Sequence, residues 1–492
     1  MGSFITANDL RLIFPQLAMA VFIVAILLSD LMFRPNEKGH TAFFSFVAVA
    51  MTGYFVVKLW GAYDSAFGGM VLVDNFSLFF NLIFLIGCAL TILLSPRYLN
   101  NEEITAGEYY VIILIATFGM MIMASAGNLL MVFLGIEVLS IALYVLAGIN
   151  RRRLASGEAA LKYLLLGAFA TGFLLYGIAM IYGATGTIEL DKIAEYLGGI
   201  RGAEPLLTIG IILLLVGFGF KASLVPFHFW TPDVYQGAPT PGTALMSTGA
   251  KAAAFAVLFR VFATALPTVK SEWWAALWVL AVLTMSVANV TALWQDNVKR
   301  MLAYSSIAHA GYLLVAVLAG GEMGNASLLY YLMAYTLMNM GAFGVVAAMG
   351  RKGEANEGIE SFRGIGYRKP FMAALMTWFM LSLGGIPPTA GFVAKLYVFA
   401  AGVRADMIPL VVIAVINAVV SIYYYLRVVV VMYMSDPETH DSEHRNPHTE
   451  LRNLSGFFTA FALILCAAGI LALGIYPSFI LKIVQTSILT GF

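Results

Sequence analysis

The chain has 492 residues, of which 61% are hydrophobic and 11% charged, and its formal net charge is +1. Soluble domains carry about 25% charged residues, whereas the apolar runs here recur near the ~20 residues that cross a bilayer. The composition excludes a soluble globular domain and gives an all-α polytopic membrane protein; the near-neutral charge decides nothing about nucleic acid.

The first apolar run, 11–33, is long enough to span and lacks a small-residue cleavage site, so it reads as a span rather than a cleaved leader. Thirteen more follow, at 40–60, 74–95, 108–126, 128–149, 158–183, 204–236, 240–264, 272–294, 299–320, 325–350, 370–400, 406–434 and 455–485. No soluble domain fits between them. The segment IELDKIAEYL at 188–197 has apolar residues at helical spacing and suits the membrane interface. Cys88 and Cys466 lie inside apolar runs and form neither a metal-ligand spacing nor a disulfide framework. His440, His444 and His448 share a polar loop with Asp441 and Glu443, which reads as a solvated loop.

Loop charges orient these fourteen spans. Arg34, Lys38, Arg97, Arg151, Arg152, Arg153, Lys299, Arg300, Arg351, Lys352, Arg363, Arg368, Lys369, Arg445 and Arg452 fall on one side. Only Lys192, Arg201, Lys270 and Arg404 fall on the other. Cationic loops stay inside, so both termini are expected outside, in the periplasm of a bacterium.

Two spans are interrupted. The stretch Gly217 to Lys251 reads GFGFKASLVPFHFWTPDVYQGAPTPGTALMSTGAK, with Pro226, Pro232, Pro239 and Pro241 between two lysine-bearing apolar runs. Proline removes a backbone donor and clashes with the preceding turn, so helix 7 breaks at Pro226. Helix 12 breaks in LSLGGIPPTAGF, around Pro387 and Pro388. Broken helices at membrane depth must be buried in protein or line a wet cavity. The breaks lie five helices apart, an odd number, which suggests two inverted five-helix repeats, helices 4–8 and 9–13. The divisions are then 1–107, 108–264, 265–434 and 435–492. Glu137 and His309 would correspond, at an offset of 172 (309 − 137).

Charge inside the membrane costs roughly 3 kcal/mol per residue on insertion scales and needs a partner, water or a task. Glu137 sits mid-span in LMVFLGIEVLSIALYVLAG. Lys221 and Lys251 flank the first break with no acid within a helical turn, and Lys395 follows the second. Desolvation and a neighbouring carboxylate move a lysine's proton affinity in opposite directions, so lysine switches where arginine does not. His309 in YSSIAHAGY relays protons readily or simply packs. His228, beside the break, and Lys162, early in helix 6, are further relay candidates; Lys162 equally suits snorkelling. Lys58, Arg260 and Arg427 read as interfacial or structural. There is no phosphate loop, nucleophile elbow or iron–sulfur cysteine cluster.

The stretches KASLVPFHFWTPDVYQGAPTP, FLGIEVLSIALYVLAG, EAALKYLLLGAFATGFLLYGIAMIYGATGT and VKRMLAYSSIAHAGY resemble the antiporter-like membrane subunits of respiratory complex I, the proton-translocating NADH–quinone oxidoreductase, and within them the subunit N branch. The resemblance covers nearly the whole chain. It implies a mid-membrane hydrated axis through Glu137, Lys221, Lys251 and Lys395, with Lys162 matching a family lysine. It implies no flavin, iron–sulfur cluster or quinone site in this chain; NADH, FMN, iron–sulfur clusters and quinone would belong to partner subunits. The neighbours it implies are a small glutamate-bearing membrane subunit and the middle antiporter-like subunit. A sodium/proton antiporter subunit shares the helix 7–8 wording and is the alternative; a third reading is a scaffold whose buried charges only hold helices together. On the first reading Glu137 and Lys221 form a coupled pair, worth about 4 kcal/mol at ~4 Å.

Overall fold

The computed structural model describes residues 5–32, 39–104, 107–199, 204–350, 357–435 and 454–489. Twelve helices are long and apolar enough to cross a membrane, and two shorter apolar helices, Glu108–Ala124 and Pro370–Gly384, complete the set among the described residues. The spans, numbered 1 to 14 below, are Phe14–Met32, Gly39–Lys58, Asn75–Asn101, Glu108–Ala124, Leu129–Ala147, Leu154–Thr185, Pro205–Ala222 with Trp230–Gly237, Thr240–Arg260 with Val261–Ala265, Lys270–Ala292, Val298–Ala319, Gly321–Met349, Pro370–Gly384 with Ala390–Arg404, Ile408–Met434, and Leu454–Ile475 with Pro477–Gln485. The chain is a polytopic all-helical membrane protein, as its composition requires.

Spans 8, 10 and 11 form the centre, each 94% buried over its most apolar window, while spans 1, 2, 6 and 14 wrap around them at 33%. Burying three helices on all sides leaves their polar residues no solvent. Those residues must satisfy one another, since an unpaired polar group in hydrocarbon costs several kcal/mol.

Helix starts are set by side-chain caps. Asp74 accepts from Ser77 N at 2.7 Å and opens span 3, Asn128 accepts from Met131 N at 2.8 Å and opens span 5, and Asn297 accepts from Arg300 N at 3.0 Å and opens span 10. Each oxygen satisfies an orphan amide of the first turn. The two asparagines also anchor matching backbone ties: Asn128 bridges Glu189, and Asn297 bridges Gly358. Both ties close after 61 residues (189 − 128 and 358 − 297), and they sit 169 apart (297 − 128). The flanking hydrogen bonds repeat at the same offset, Leu129 N to Ile188 O at 2.9 Å and Val298 N to Glu357 O at 2.7 Å. One tie joins loops 4–5 and 6–7, the other loops 9–10 and 11–12, which lie at opposite ends of the spans. The offset corrects the sequence expectation of 172: at 169, Ser140 corresponds to His309 and Glu137 to Ser306.

The described ends meet on one face. Asn8 Nδ2 donates to Asp64 at 2.9 Å, while Tyr63 Oη and Asn75 Nδ2 donate to the Thr486 carbonyl at 3.0 and 2.8 Å. A hairpin between them pairs β1 (Asp64–Ala66) with β2 (Val71–Val73). The expected interfacial segment is the helix Leu190–Gly198, whose Leu190, Ile193 and Leu197 are buried against the end of span 8. Span 14, expected as one run, divides at Tyr476 because Pro477 cannot donate to the preceding turn. Span 8 carries two π turns unseen in the sequence, Met246–Ala250 and Val261–Ala265. Of the loop cations, Arg34, Lys38, Arg201, Arg351, Lys352, Arg445 and Arg452 lie outside the described residues, as do His440, His444 and His448.

Candidate functional site: a buried file of lysines, hydroxyls and a histidine

Span 7 stops at Ala222 because Ser223 turns left-handed at φ 62°. The break is held by polar atoms of its own chain and of span 9. Val225 N donates to Thr284 Oγ1 at 3.0 Å, Thr231 Oγ1 to Ser223 Oγ at 2.9 Å, and Trp230 Nε1 to the Phe220 carbonyl at 3.1 Å. Trp230 stacks on Tyr163 with centroids 4.3 Å apart and rings 6° from parallel. Span 12 breaks at Gly385, φ 84°, where a Cβ would also lie 2.9 Å from Lys395 Cδ. Only glycine suits that position.

The two breaks place their lysines alike. Lys221 is in the last turn of the entering half of span 7. Lys395 follows its break but reaches back, donating to the carbonyls of Leu383 and Gly384 at 3.0 and 2.9 Å. Those carbonyls end the entering half of span 12, where the helix dipole is negative and oxygens lack intrahelical donors. The order of lysine and proline differs between the breaks; the half-helix end that carries the cation does not.

Lys221 is buried, donates to Ser140 Oγ at 2.5 Å, and lies 5.5 Å from the ring centres of both Tyr144 and Tyr163. Ser140, one turn along span 5, takes the direct contact with Lys221, and Glu137 acts on the ammonium electrostatically from outside ion-pair distance. Glu137 is in none of the ion pairs among the described residues, and its Oε1 is buried with no hydrogen-bond partner.

Lys251 starts the α segment after the first π turn of span 8. Its ammonium donates to the carbonyl and hydroxyl of Ser306 on span 10. Span 10 continues the file. Ser305 bonds the Tyr425 hydroxyl, Tyr425 meets His309 Nε2 at 3.2 Å, and His309 Nδ1 meets Tyr331 at 2.6 Å. His309 is T-shaped to Tyr312 at 5.7 Å, and the Lys395 ammonium lies 5.4 Å from the same Tyr312 ring. Spans 8, 10, 11, 12 and 13 thus contribute to one polar group around His309, and spans 5 and 7 hold a second around Lys221. Their serines and tyrosines were not singled out in the sequence. The signal was present in YSS and YYY: a tyrosine buried in an apolar span needs a partner for its hydroxyl.

Two candidates lie elsewhere. Lys162 pairs with Glu158 at 2.7 Å and Asp233 at 2.8 Å, and Asp233 pairs with Arg300 at 2.6 Å, in a half-exposed cluster at the end of span 7. His228 is buried in the first break, packs on Phe229 at 4.7 Å, and its Nδ1 has no partner. Arg260, read as structural, forms a bidentate pair with Asp74 at 2.8 and 2.9 Å. Arg427 donates to Asp296 at 2.6 Å and to the Leu293 and Gln295 carbonyls, closing the end of span 9. Lys58 lies over Tyr54 at 5.1 Å.

On the arginine-rich face, two cations meet one carboxylate. Glu357 accepts from Arg153 at 3.1 Å and Lys299 at 3.3 Å, and Lys299, fully buried, also donates to the Gln236 and Ala238 carbonyls at 3.0 and 2.8 Å. Burial pushes the Glu357 carboxyl upward, but Lys299 and Arg153 outweigh it and hold the group below its usual range. At the 169 offset, the equivalents of Lys299 and Glu357 are Leu130 and Ile188. The same backbone tie is ionic on one face and apolar on the other.

Residues 126–421 match the family described as NADH:quinone oxidoreductase/Mrp antiporter, transmembrane. The NADH-quinone oxidoreductase subunit N of Trichlorobacter lovleyi is 48% identical over 481 residues, covering 98% of this chain and 97% of that protein. The chain belongs to this family, on its subunit N branch. A chain of respiratory complex I from Thermus thermophilus, solved with bound aureothin, shares 37% identity and a TM-score of 0.80 over 95% of this chain and 98% of that one. A chain of the Mrp complex from Dietzia sp. matches at 21% identity, with a TM-score of 0.79 over 98% of this chain and 97% of that one, a likeness of fold alone. The family match runs through both breaks and through Glu137, Ser140, Lys221, Lys251, Ser306, His309 and Lys395, and ends before Tyr425.

Proposed function

We propose that this chain is a proton-translocating membrane subunit of an NADH–quinone oxidoreductase, moving protons along Glu137, Lys221, Lys251, His309 and Lys395. The observation that carries this reading is the buried file itself: three lysines with no carboxylate in ion-pair contact, each bound by hydroxyls or half-helix carbonyls. A scaffold of buried charges would pair its cations with acids, as Arg260 pairs with Asp74. Lys221 passes a proton through Ser140 and water when Glu137 is drawn away. Lys251 receives it and hands it by Ser306, Ser305 and Tyr425 to His309. Water beside Tyr312 links His309 to Lys395. His228 and Lys162 sit off this path, Lys162 serving as a gatekeeper in its charged cluster.

The repeated ties at opposite ends of the spans support two inverted units, 108–264 and 265–434. The cationic loops support a bacterial inner-membrane orientation with both termini periplasmic. Partners are other membrane subunits, a small glutamate-bearing one and the middle antiporter-like one on either side. NADH, FMN, iron–sulfur clusters and quinone belong to other subunits of the assembly.

Purification of the intact assembly tests this. Flavin and iron–sulfur subunits should accompany the chain, and vesicles should take up protons when NADH is oxidised. Proton movement driven by sodium without NADH oxidation would instead select the antiporter reading.

A further inference from the structure

Asn289, on span 9, is fully buried, and none of its hydrogen-bond partners is a relay residue. Its Nδ2 donates to the Met285 carbonyl at 2.8 Å, to the Tyr312 hydroxyl at 3.1 Å and to Asn417 Oδ1 at 3.3 Å. Its Oδ1 accepts from the Tyr424 hydroxyl at 3.0 Å. The Met285 carbonyl accepts only, so it fixes which end of the amide is nitrogen. That in turn fixes two phenols: Tyr312 must accept from Asn289, and Tyr424 must donate to it.

Both phenols stand directly behind the file. The Tyr312 ring is the face that the Lys395 ammonium approaches at 5.4 Å, and it is also T-shaped to His309. Tyr424 packs on Tyr425 with centroids 4.5 Å apart, and Tyr425 bonds His309 Nε2. Lys395 faces Tyr312 and the carbonyl ends of its own span, and acts with Lys251 on His309, which also meets Tyr331 and Tyr335 of span 11 and Tyr425 of span 13. One amide on span 9 thus sets the seats of two relay residues on spans 10 and 12.

We propose that Asn289 is a positioning residue for proton transfer between His309 and Lys395, acting through the hydroxyls of Tyr312 and Tyr424. The inference rests on the relay reading above. A phenol ring attracts a cation only when its face is held toward it. Without the Asn289 bond the Tyr312 hydroxyl keeps only Ser421 as a partner, and the ring face that Lys395 meets loses one of its two polar anchors.

The test uses the intact assembly in membrane vesicles, with NADH oxidation and proton uptake read together across pH. Asn289→Leu should assemble and oxidise NADH with proton uptake per NADH lowered roughly fivefold, the weight of one neutral hydrogen bond. Its pH profile should move by about 0.7 unit, the same factor expressed as proton affinity. Tyr312→Phe, which removes a single oxygen, should move the profile in the same direction. The two changes together should be no worse than either alone, because they cut one connection. An unchanged pH profile in Tyr312→Phe overturns the proposal even where Asn289→Leu does not assemble; so does additivity of the two. Lys395→Ala is the control. Normal pumping there sinks the relay reading, whereas lost pumping there with an unmoved Tyr312→Phe profile sinks only the role of Asn289.

Discussion

Removing the Glu357 carboxylate should cost more stability than removing any exposed charge in the chain. Glu357→Ala leaves Lys299 fully buried with two carbonyls and no anion. Breaking a buried pair by deleting one partner costs about 3–5 kcal/mol, because the other charge stays desolvated. Arg153, whose side chain is 27% exposed, relaxes into water and adds at most about 1 kcal/mol. A loss of ~3 kcal/mol is a factor above a hundred in an equilibrium, enough to empty the folded state of a marginal membrane protein. The assay is the level of assembled complex on native gels, with the thermal inactivation midpoint of what remains. Lys299→Met combined with Glu357→Ala should recover most of the loss, since neither charge is then stranded. The sign with pH follows from the depressed carboxyl. Its contribution is complete above the ordinary glutamate value of about 4.3 and disappears as pH falls through the lower folded value. Wild-type assembly and an unshifted midpoint in Glu357→Ala would refute the reasoning.

Other outcomes follow from the same geometry. Lys221→Arg keeps a cation over Tyr144 and Tyr163 but cannot release its proton, arginine having a pKa above ~12; it should assemble and lose most NADH-driven pumping, and wild-type pumping would end the carrier role of Lys221. Tyr425→Phe cuts the link from Ser305 to His309 and should lower proton uptake per NADH roughly fivefold with assembly intact, as read by vesicle acidification. Single cysteines at Arg152 and Lys192 should label from opposite sides of the membrane; labelling from one side would contradict the fourteen-span chain.

Much of the fold was legible because hydrophobic runs report membrane spans directly. The breaks were legible because Pro226 and the Pro387–Pro388 pair cannot continue a helix. What the sequence hid was register. Glu137 and Lys221 are plausible partners by charge, yet Ser140 sits on the face of span 5 that Lys221 meets. Asn128 and Asn297 are ordinary caps in sequence, and only their bridges disclose the 169-residue offset. Tyr312, Tyr425 and Asn289 carry no charge that would mark them inside an apolar span. The split in span 14 has its signal at Pro477, a single residue inside a long apolar run.

The π turn at Met246–Ala250 has a geometric consequence for Lys251. A π turn holds one surplus residue against a regular helix, and each residue advances a helix by about 100°. The turn therefore sets the rotational phase between the proline-rich entry of span 8 and the lysine that follows. Both sides are pinned independently: Thr243 bonds the Tyr235 carbonyl at 3.1 Å before it, and Arg260 bonds Asp74 after it. Deleting one residue between 246 and 250 leaves composition, hydropathy and length almost untouched. It removes the surplus residue, so the turn can close as a regular helix with both pinned ends in phase; the same deletion within Lys251–Arg260, where there is no surplus, forces one pinned end to turn by about a quarter of a circle.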